Sequence, residues 1–148
     1  MSNFGTPQEE FWAGEFGDAY TDRNTGPRWI ASNLALFSRI LSSTRDVRSV
    51  LELGANRGLN LFALRQLLPD AKMSAVEINA KAVEELRKLD WLQVTHASLL
   101  DFKPVAPADF VLIKGVLIHL NPDVLPAVYE LLHAASKRFV CIVEYYNP

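Results

Sequence analysis

Cysteine is nearly missing from this 148-residue chain: Cys141 stands alone, in an apolar run, so no internal disulfide can form. No apolar signal segment opens the sequence, and a reducing, cytoplasmic setting is expected. No apolar run approaches the ~20 residues of a membrane span, so no membrane partner is expected. Charge of one sign is also lacking. Fifteen basic and seventeen acidic residues leave a net charge of −2, and Arg45, Arg48, Lys81, Arg87, Lys88, Lys137 and Arg138 are dispersed. That balance predicts no nucleic-acid partner. Histidine is scarce, with three in all. No cluster of histidine, cysteine and carboxylates has metal-ligand spacing, so no metal is expected. Repeats, low-complexity segments and interdomain linkers are absent too, and the length suits one domain with one core.

What is there centres on Val50-Leu51-Glu52-Leu53-Gly54-Ala55-Asn56-Arg57-Gly58. An apolar strand runs into a glycine turn, and a helix over about 59–68 comes at once. This is how open α/β sheets present a ligand to backbone N–H groups. Gly54 lets the chain turn sharply off the strand, and Gly58 lets the helix start pack close. Glu52, at the strand's carboxyl end, is expected to face a polar, cationic ligand group.

The same alternation continues along the chain. Residues 72–78 predict a second strand ending in Glu77, and Asn79 caps a helix to about residue 89. Residues 92–96 and 109–113 predict a third and a fourth strand, the latter entering a loop at Lys114-Gly115. Asn121-Pro122 opens a helix with an irregular or 3₁₀ first turn, since Pro126 lacks an N–H. Residues 138–144 predict a fifth strand. Ahead of the first strand, helical spacing from Trp29 runs through Ile30, Leu34, Phe37 and Leu41. The fold class is therefore α/β, a Rossmann-like, doubly wound parallel sheet of about five strands.

Residues 1–28 form an arm before the 29–148 core. Thr6-Pro7-Gln8-Glu9 has the form of a capping box with proline at the first helical position. The helix is expected to be short, because Gly14 and Gly17 break it, and 22–27 reads as a polar turn. Phe11, Trp12, Phe16 and Tyr20 are too many aromatics for a disordered tail. They staple the arm to the core, or some of them form a lid over a ligand.

Ligands of such sheets bind outside the carboxyl ends of the strands. Glu52, Glu77, His96 with Ala97 and Ser98, Lys114 with Gly115, and Glu144 share that location. Glu77 lies 19 residues after Gly58, where an acid accepts hydrogen bonds from both hydroxyls of a ribose. Asn56 stands where a dinucleotide loop has its second glycine. Glu52 brings negative charge that suits an ammonium or sulfonium and repels a pyrophosphate. S-adenosyl-L-methionine is the cofactor these features favour over NAD(P).

At these residues the sequence resembles class I S-adenosylmethionine-dependent methyltransferases. Glu52-x-Gly54-x-x-x-Gly58 resembles their first motif and Val76-Glu77-Ile78-Asn79 their ribose-binding strand end. Residues 109–120 resemble their fourth strand and the loop behind it. A narrower likeness, to the methylases associated with pseudaminic acid biosynthesis, covers residues 11–24, 51–56, 114–119 and Glu144-Tyr145-Tyr146-Asn147-Pro148. It implies a bacterial enzyme acting on a small-molecule sugar, a nonulosonic acid or a surface-glycan precursor. By position, the resemblance assigns Glu52 to the donor's amino group, and Gly54, Ala55, Asn56 and Gly58 to its methionine half. Glu77 with Ile78 falls at the ribose. Ala97 and Ser98 fall at the adenine edge, where many members carry an acid. Lys114 and Gly115 flank the reactive side.

Methyl transfer from a sulfonium needs positioning above all, and a base only for a hydroxyl or a protonated amine. His119, Glu144 and Tyr145 are the candidates for that base, and His119 reads equally as a loop histidine bonded to backbone. His96 and His133 read as structural. Arg57 reads as a solvated loop charge or a partner for the donor's carboxylate, and Lys114 as a site residue or a strand-end cation. The family pattern continues beyond a fifth strand, so the expectation is a fragment, or a minimal form whose open sheet edge pairs with another chain as a homo-oligomer. A non-catalytic donor-binding or assembly domain is the alternative function, and a nucleotide-dependent oxidoreductase the less favoured one.

Overall fold

The computed structural model describes residues 4–23 and 26–145. Two short helices come first, α1 (Pro7–Ala13) and α2 (Glu15–Arg23), and then α3 (Pro27–Leu41). Next come β1 (Ser49–Leu53), α4 (Leu59–Leu67), β2 (Lys72–Glu77), α5 (Ala80–Leu86), β3 (Leu92–His96) and β4 (Ala108–Lys114). Two 3₁₀ turns, Leu117–His119 and Pro122–Val124, lead into α6 (Leu125–Ala135) and β5 (Ser136–Val143). The irregular start predicted at Asn121-Pro122 is present: Asn121 Oδ1 accepts from Asp123 N at 3.0 Å before the α-helix begins. The helix after Asn79 is shorter than expected. It ends at Leu86, where Leu89 N donates to the Leu86 carbonyl in a tighter turn.

All strand pairings are parallel and the order is β3-β2-β1-β4-β5. This is the Rossmann-like arrangement the sequence predicts. The order reverses between β1 and β4, so the chain leaving them goes to opposite faces of the sheet and leaves a crevice. Side chains alternate across the sheet. Val50, Met73, Ala75, Phe110 and Leu112 pack against Phe37 of α3, Leu61 and Leu64 of α4 and Leu86 of α5. Leu51, Leu53, Val76, Val111 and Ile113 face Val128, Leu131 and Leu132 of α6. β4 is buried along nearly its whole length, as a central parallel strand should be. β5 has one strand neighbour among the described residues, and its Val140 and Ile142 are 44% and 49% exposed.

The arm departs from expectation at Gly17. Gly14 ends α1, but Gly17 lies inside α2 rather than breaking it. Its role is close approach. A Cβ there would stand 1.8 Å from the Trp12 carbonyl oxygen and 2.8 Å from Asn79 Nδ2. The polar turn predicted over 22–27 is shorter as well: Asp22 and Arg23 close α2, Pro27 opens α3, and Asn24 and Thr25 lie outside the described residues. Gly17→Ala is expected to cost about 2 kcal/mol or more, since backbone must move to admit the methyl. Thermal unfolding would show the loss, and trypsin should then cut faster after Arg23. An unchanged melting point would mean the two helices are not held in this packing.

Candidate functional site

Four strand ends meet at one cavity of about 220 Å³. Gly54, Ala55 and Asn56 line it after β1, and Glu77 and Ile78 after β2. Ala97 and Ser98 carry the wall on from β3, and Lys114 and Gly115 from β4. His119 and Tyr145 reach it from the loops beyond β4 and β5. Three predicted residues do not line it: Glu52, Gly58 and Glu144.

The turn is shaped by positive φ at Gly54 (75°), Asn56 (46°) and Gly58 (76°). A Cβ on Gly54 would meet Val116 Cγ2 at 2.6 Å, so glycine is required for space as well as for backbone angle. Gly58 caps α4 from below, where a Cβ would meet Leu86 Cδ2 at 2.9 Å. The close approach that glycine permits here is to α5, where the sequence suggested the sheet.

Glu77 is 7% exposed and tied to the backbone around it. Its Oε2 accepts from Asn56 N at 2.7 Å; Oε1 accepts from Ile78 N at 2.9 Å and Asn79 N at 2.8 Å. Burial pushes its carboxyl up from the ordinary value, and those three N–H groups pull it back. A carboxylate offers about four acceptor positions. Three are filled, leaving one on Oε2 for a ligand, where the sequence suggested two hydroxyls. The Asn56 amide, which a nucleotide loop would turn toward phosphate, is committed to this carboxylate. That is a firmer ground against a dinucleotide than the charge of Glu52.

Glu52 differs from expectation. Strand alternation turns it to the same face as Val50, under α4, and it is 0% exposed. Asn60 Nδ2 donates to Oε1 at 2.6 Å, while Oε2 is buried without a hydrogen-bond partner. Burial pushes its carboxyl from 4.5 to about 8, against the pull of the Asn60 bond and the Lys114 charge. It is therefore neutral at pH 7 and does not face the cavity directly. Asn60, which does line the cavity, stands between. With the proton on Glu52, Oε2 is a buried O–H rather than a charge, so any contact from Glu52 to a ligand passes through Asn60 or a water.

Glu144 is also turned to structure. Its Oε1 accepts from Val116 N at 3.1 Å and Leu117 N at 2.9 Å, fixing the loop after β4. That makes it a loop anchor rather than the base proposed for it. His119, at the end of the first 3₁₀ turn, packs at a tilt against Trp12, with ring centroids 4.8 Å apart at 56°. Tyr145 is 70% exposed at the rim, while the next three residues of the family likeness, Tyr146, Asn147 and Pro148, lie outside the described residues. His96 Nε2 lies 3.0 Å from the Ile78 carbonyl oxygen, in a backbone contact. Arg57 donates to the Thr21 carbonyl at 3.3 Å and sits 3.7 Å from Glu85.

The arm is a wall of the cavity, with Glu9, Trp12, Tyr20 and Thr21 lining it. Asn79 Nδ2 donates to the Trp12 carbonyl at 3.2 Å and to Asp18 Oδ1 at 2.8 Å. Thr21 Oγ1 donates to Asn56 Oδ1 at 3.2 Å. The same two residues, Asn56 and Asn79, give their backbone N–H groups to Glu77. Asp18, Thr21, Asn60 and Glu9 were not singled out from sequence as site residues. Each pairs with a residue remote in sequence or one buried by the fold, so only the capping box of Glu9 carried a local signal.

No protein-family model and no curated protein matches the chain. Solved structures do match, and they define the fold as that of Rossmann-like methyltransferases. DhpI, solved in complex with SAM and HEP, superposes with a TM-score of 0.72 at 21% identity, over 99% of this chain and 69% of its own. CalS10, a SAM-bound amino pentose methyltransferase from Micromonospora echinaspora involved in calicheamicin biosynthesis, has a TM-score of 0.66 at 15% identity, covering 100% and 60%. The plantazolicin methyltransferase BpumL, solved with a pentazolic desmethylPZN analog and SAH, has a TM-score of 0.63 at 19% identity, covering 87% and 51%. The chain thus spans about half the length of BpumL.

Proposed function

We propose that this chain is an S-adenosyl-L-methionine-dependent methyltransferase acting on a small-molecule acceptor. The observation that carries the reading is the turn after β1 with Glu77 across from it, opening on a single cavity at the switch point of a methyltransferase fold. When bound, the cofactor supplies an electrophilic methyl on a sulfonium. The chain's residues supply the rest. Glu77 offers one acceptor position to a ribose hydroxyl, and Gly54 and Ala55 bring backbone close. Trp12, Tyr20 and the loop anchored by Glu144 cover the cavity and limit water. Positioning of this kind is worth about 7 kcal/mol or more of a transfer barrier.

For the acceptor we propose a sugar of the nonulosonic-acid or surface-glycan kind, handled in a bacterial cytoplasm. The aromatic rim of Trp12, Tyr20, Trp29 and Tyr145 supports it, since sugar rings stack on aromatic faces. The resemblance of the arm and the 114–119 loop to the pseudaminic acid-associated methylases supports it as well. To His119 and Tyr145, which line the cavity, we assign removal of a proton from a hydroxyl acceptor. Pairing of the β5 edge with a second copy remains part of the proposal.

The test is transfer of labelled methyl from S-adenosyl-L-methionine into a bacterial extract, with identification of the product. A labelled sugar supports the reading. Donor binding by calorimetry with no transfer to any acceptor would favour the non-catalytic domain, for which the commitment of Glu144 to backbone speaks. Thermal protection by NAD and none by the methyl donor would overturn both.

A further inference from the structure

Glu9 is a carboxylate that the arm delivers to the cavity wall, 6% exposed and 89 residues from its partner Ser98. Ser98 Oγ donates to Glu9 Oε1. Oε2 accepts from Thr6 N at 2.9 Å and Thr6 Oγ1 at 3.3 Å. All three donors are neutral, and no cation pairs with Glu9 among the described residues. Of the carboxylate's four or so acceptor positions, three are filled and the fourth lies on Oε1. The nearby wall is apolar, made of Ile78, Ala97, Leu99 and Leu100. An apolar wall with one charged acceptor suits a flat heteroaromatic ring that carries an amino group.

Ser98 does not supply the charged acceptor. It is the weaker, neutral acceptor: its proton goes to Glu9, and one of its two lone pairs takes Leu100 N at 3.0 Å. It holds the carboxylate in place.

We propose that Glu9 recognises the exocyclic amino group of the donor's purine, so that seating the arm and recognising the base are one event. This rests on the proposed function and adds a residue to it. The acid expected at the end of β3 is supplied in space by α1.

The test compares S-adenosyl-L-homocysteine with S-inosyl-L-homocysteine, in which an oxygen replaces the amino group. Calorimetry on the full chain should give the wild type a preference of about tenfold or more for the adenosyl ligand. In Glu9→Gln the preference should collapse to about threefold or less, because the side-chain amide can turn an N–H toward the inosyl oxygen. Glutamine keeps the capping box, and the ratio of two ligands cancels any unfolded fraction. A wild-type ratio retained in Glu9→Gln overturns the assignment, as does a wild type that binds both ligands alike. A wild type that binds neither ligand overturns the proposed function together with it.

Discussion

Glu52→Gln should melt well above the wild type at pH 8.5, roughly 10 °C higher, and close to it at pH 4.5. The cause is the buried carboxyl under α4, which the fold holds at about 8 against 4.5 in the unfolded chain. The folded state therefore grips the proton harder. Stability from this group is fully present below pH 4.5 and is lost as pH rises through about 8. At about 1.4 kcal/mol per pH unit, the window is worth on the order of 5 kcal/mol. Glutamine keeps the acceptor for Asn60 and has no proton to lose, so its stability should not fall across that window. Thermal unfolding from pH 4.5 to 9 checks this. Parallel curves for the two proteins would mean that Glu52 is ionised throughout, with Lys114 as its counter-charge.

Donor binding in Glu77→Gln should weaken about 100-fold, the equivalent of losing one or two hydrogen bonds to a charged acceptor. Glutamine keeps an oxygen for Ile78 and Asn79 but turns an NH₂ toward the Asn56 N–H. The turn after β1 must then move, and the one free acceptor position goes with it. Calorimetry with S-adenosyl-L-methionine is the measurement, with a melting curve to show that the variant is folded. Affinity within about threefold of the wild type would remove this carboxylate from the donor site.

These two carboxylates show what a linear pattern reveals. Glu77 ends its strand, so its place at the cavity comes from the strand's end alone. Glu52 is one alternation deeper. Its direction depends on which face of the sheet α4 covers, and that is settled by packing of Leu61 and Leu64 against Phe37. Its charge state comes from the same packing, which a reading based on charge alone does not supply. Gly17 misled for a similar reason. Glycine inside a short helix resembles a break, but here it makes room for a carbonyl of the preceding helix.

Local chemistry in the sequence determined the helix caps at Thr6, Asn79 and Asn121, the five strands, and the glycine turn at 54–58. All are set by contacts a few residues apart, or by short apolar runs between turn signals. Only the tertiary structure decided that the arm closes the cavity, that Glu9 meets Ser98, and that Asn56 and Asn79 bind both the arm and Glu77. Apart from the contact of Asn79 with Glu77, two positions away, those pairings join residues about 20 to 90 positions apart, and no period or motif encodes them. They exist because a parallel sheet brings its carboxyl ends to one edge, where Trp12 packs on His119 and the arm's polar side chains find partners, while Phe11, Phe16 and Tyr20 stay exposed.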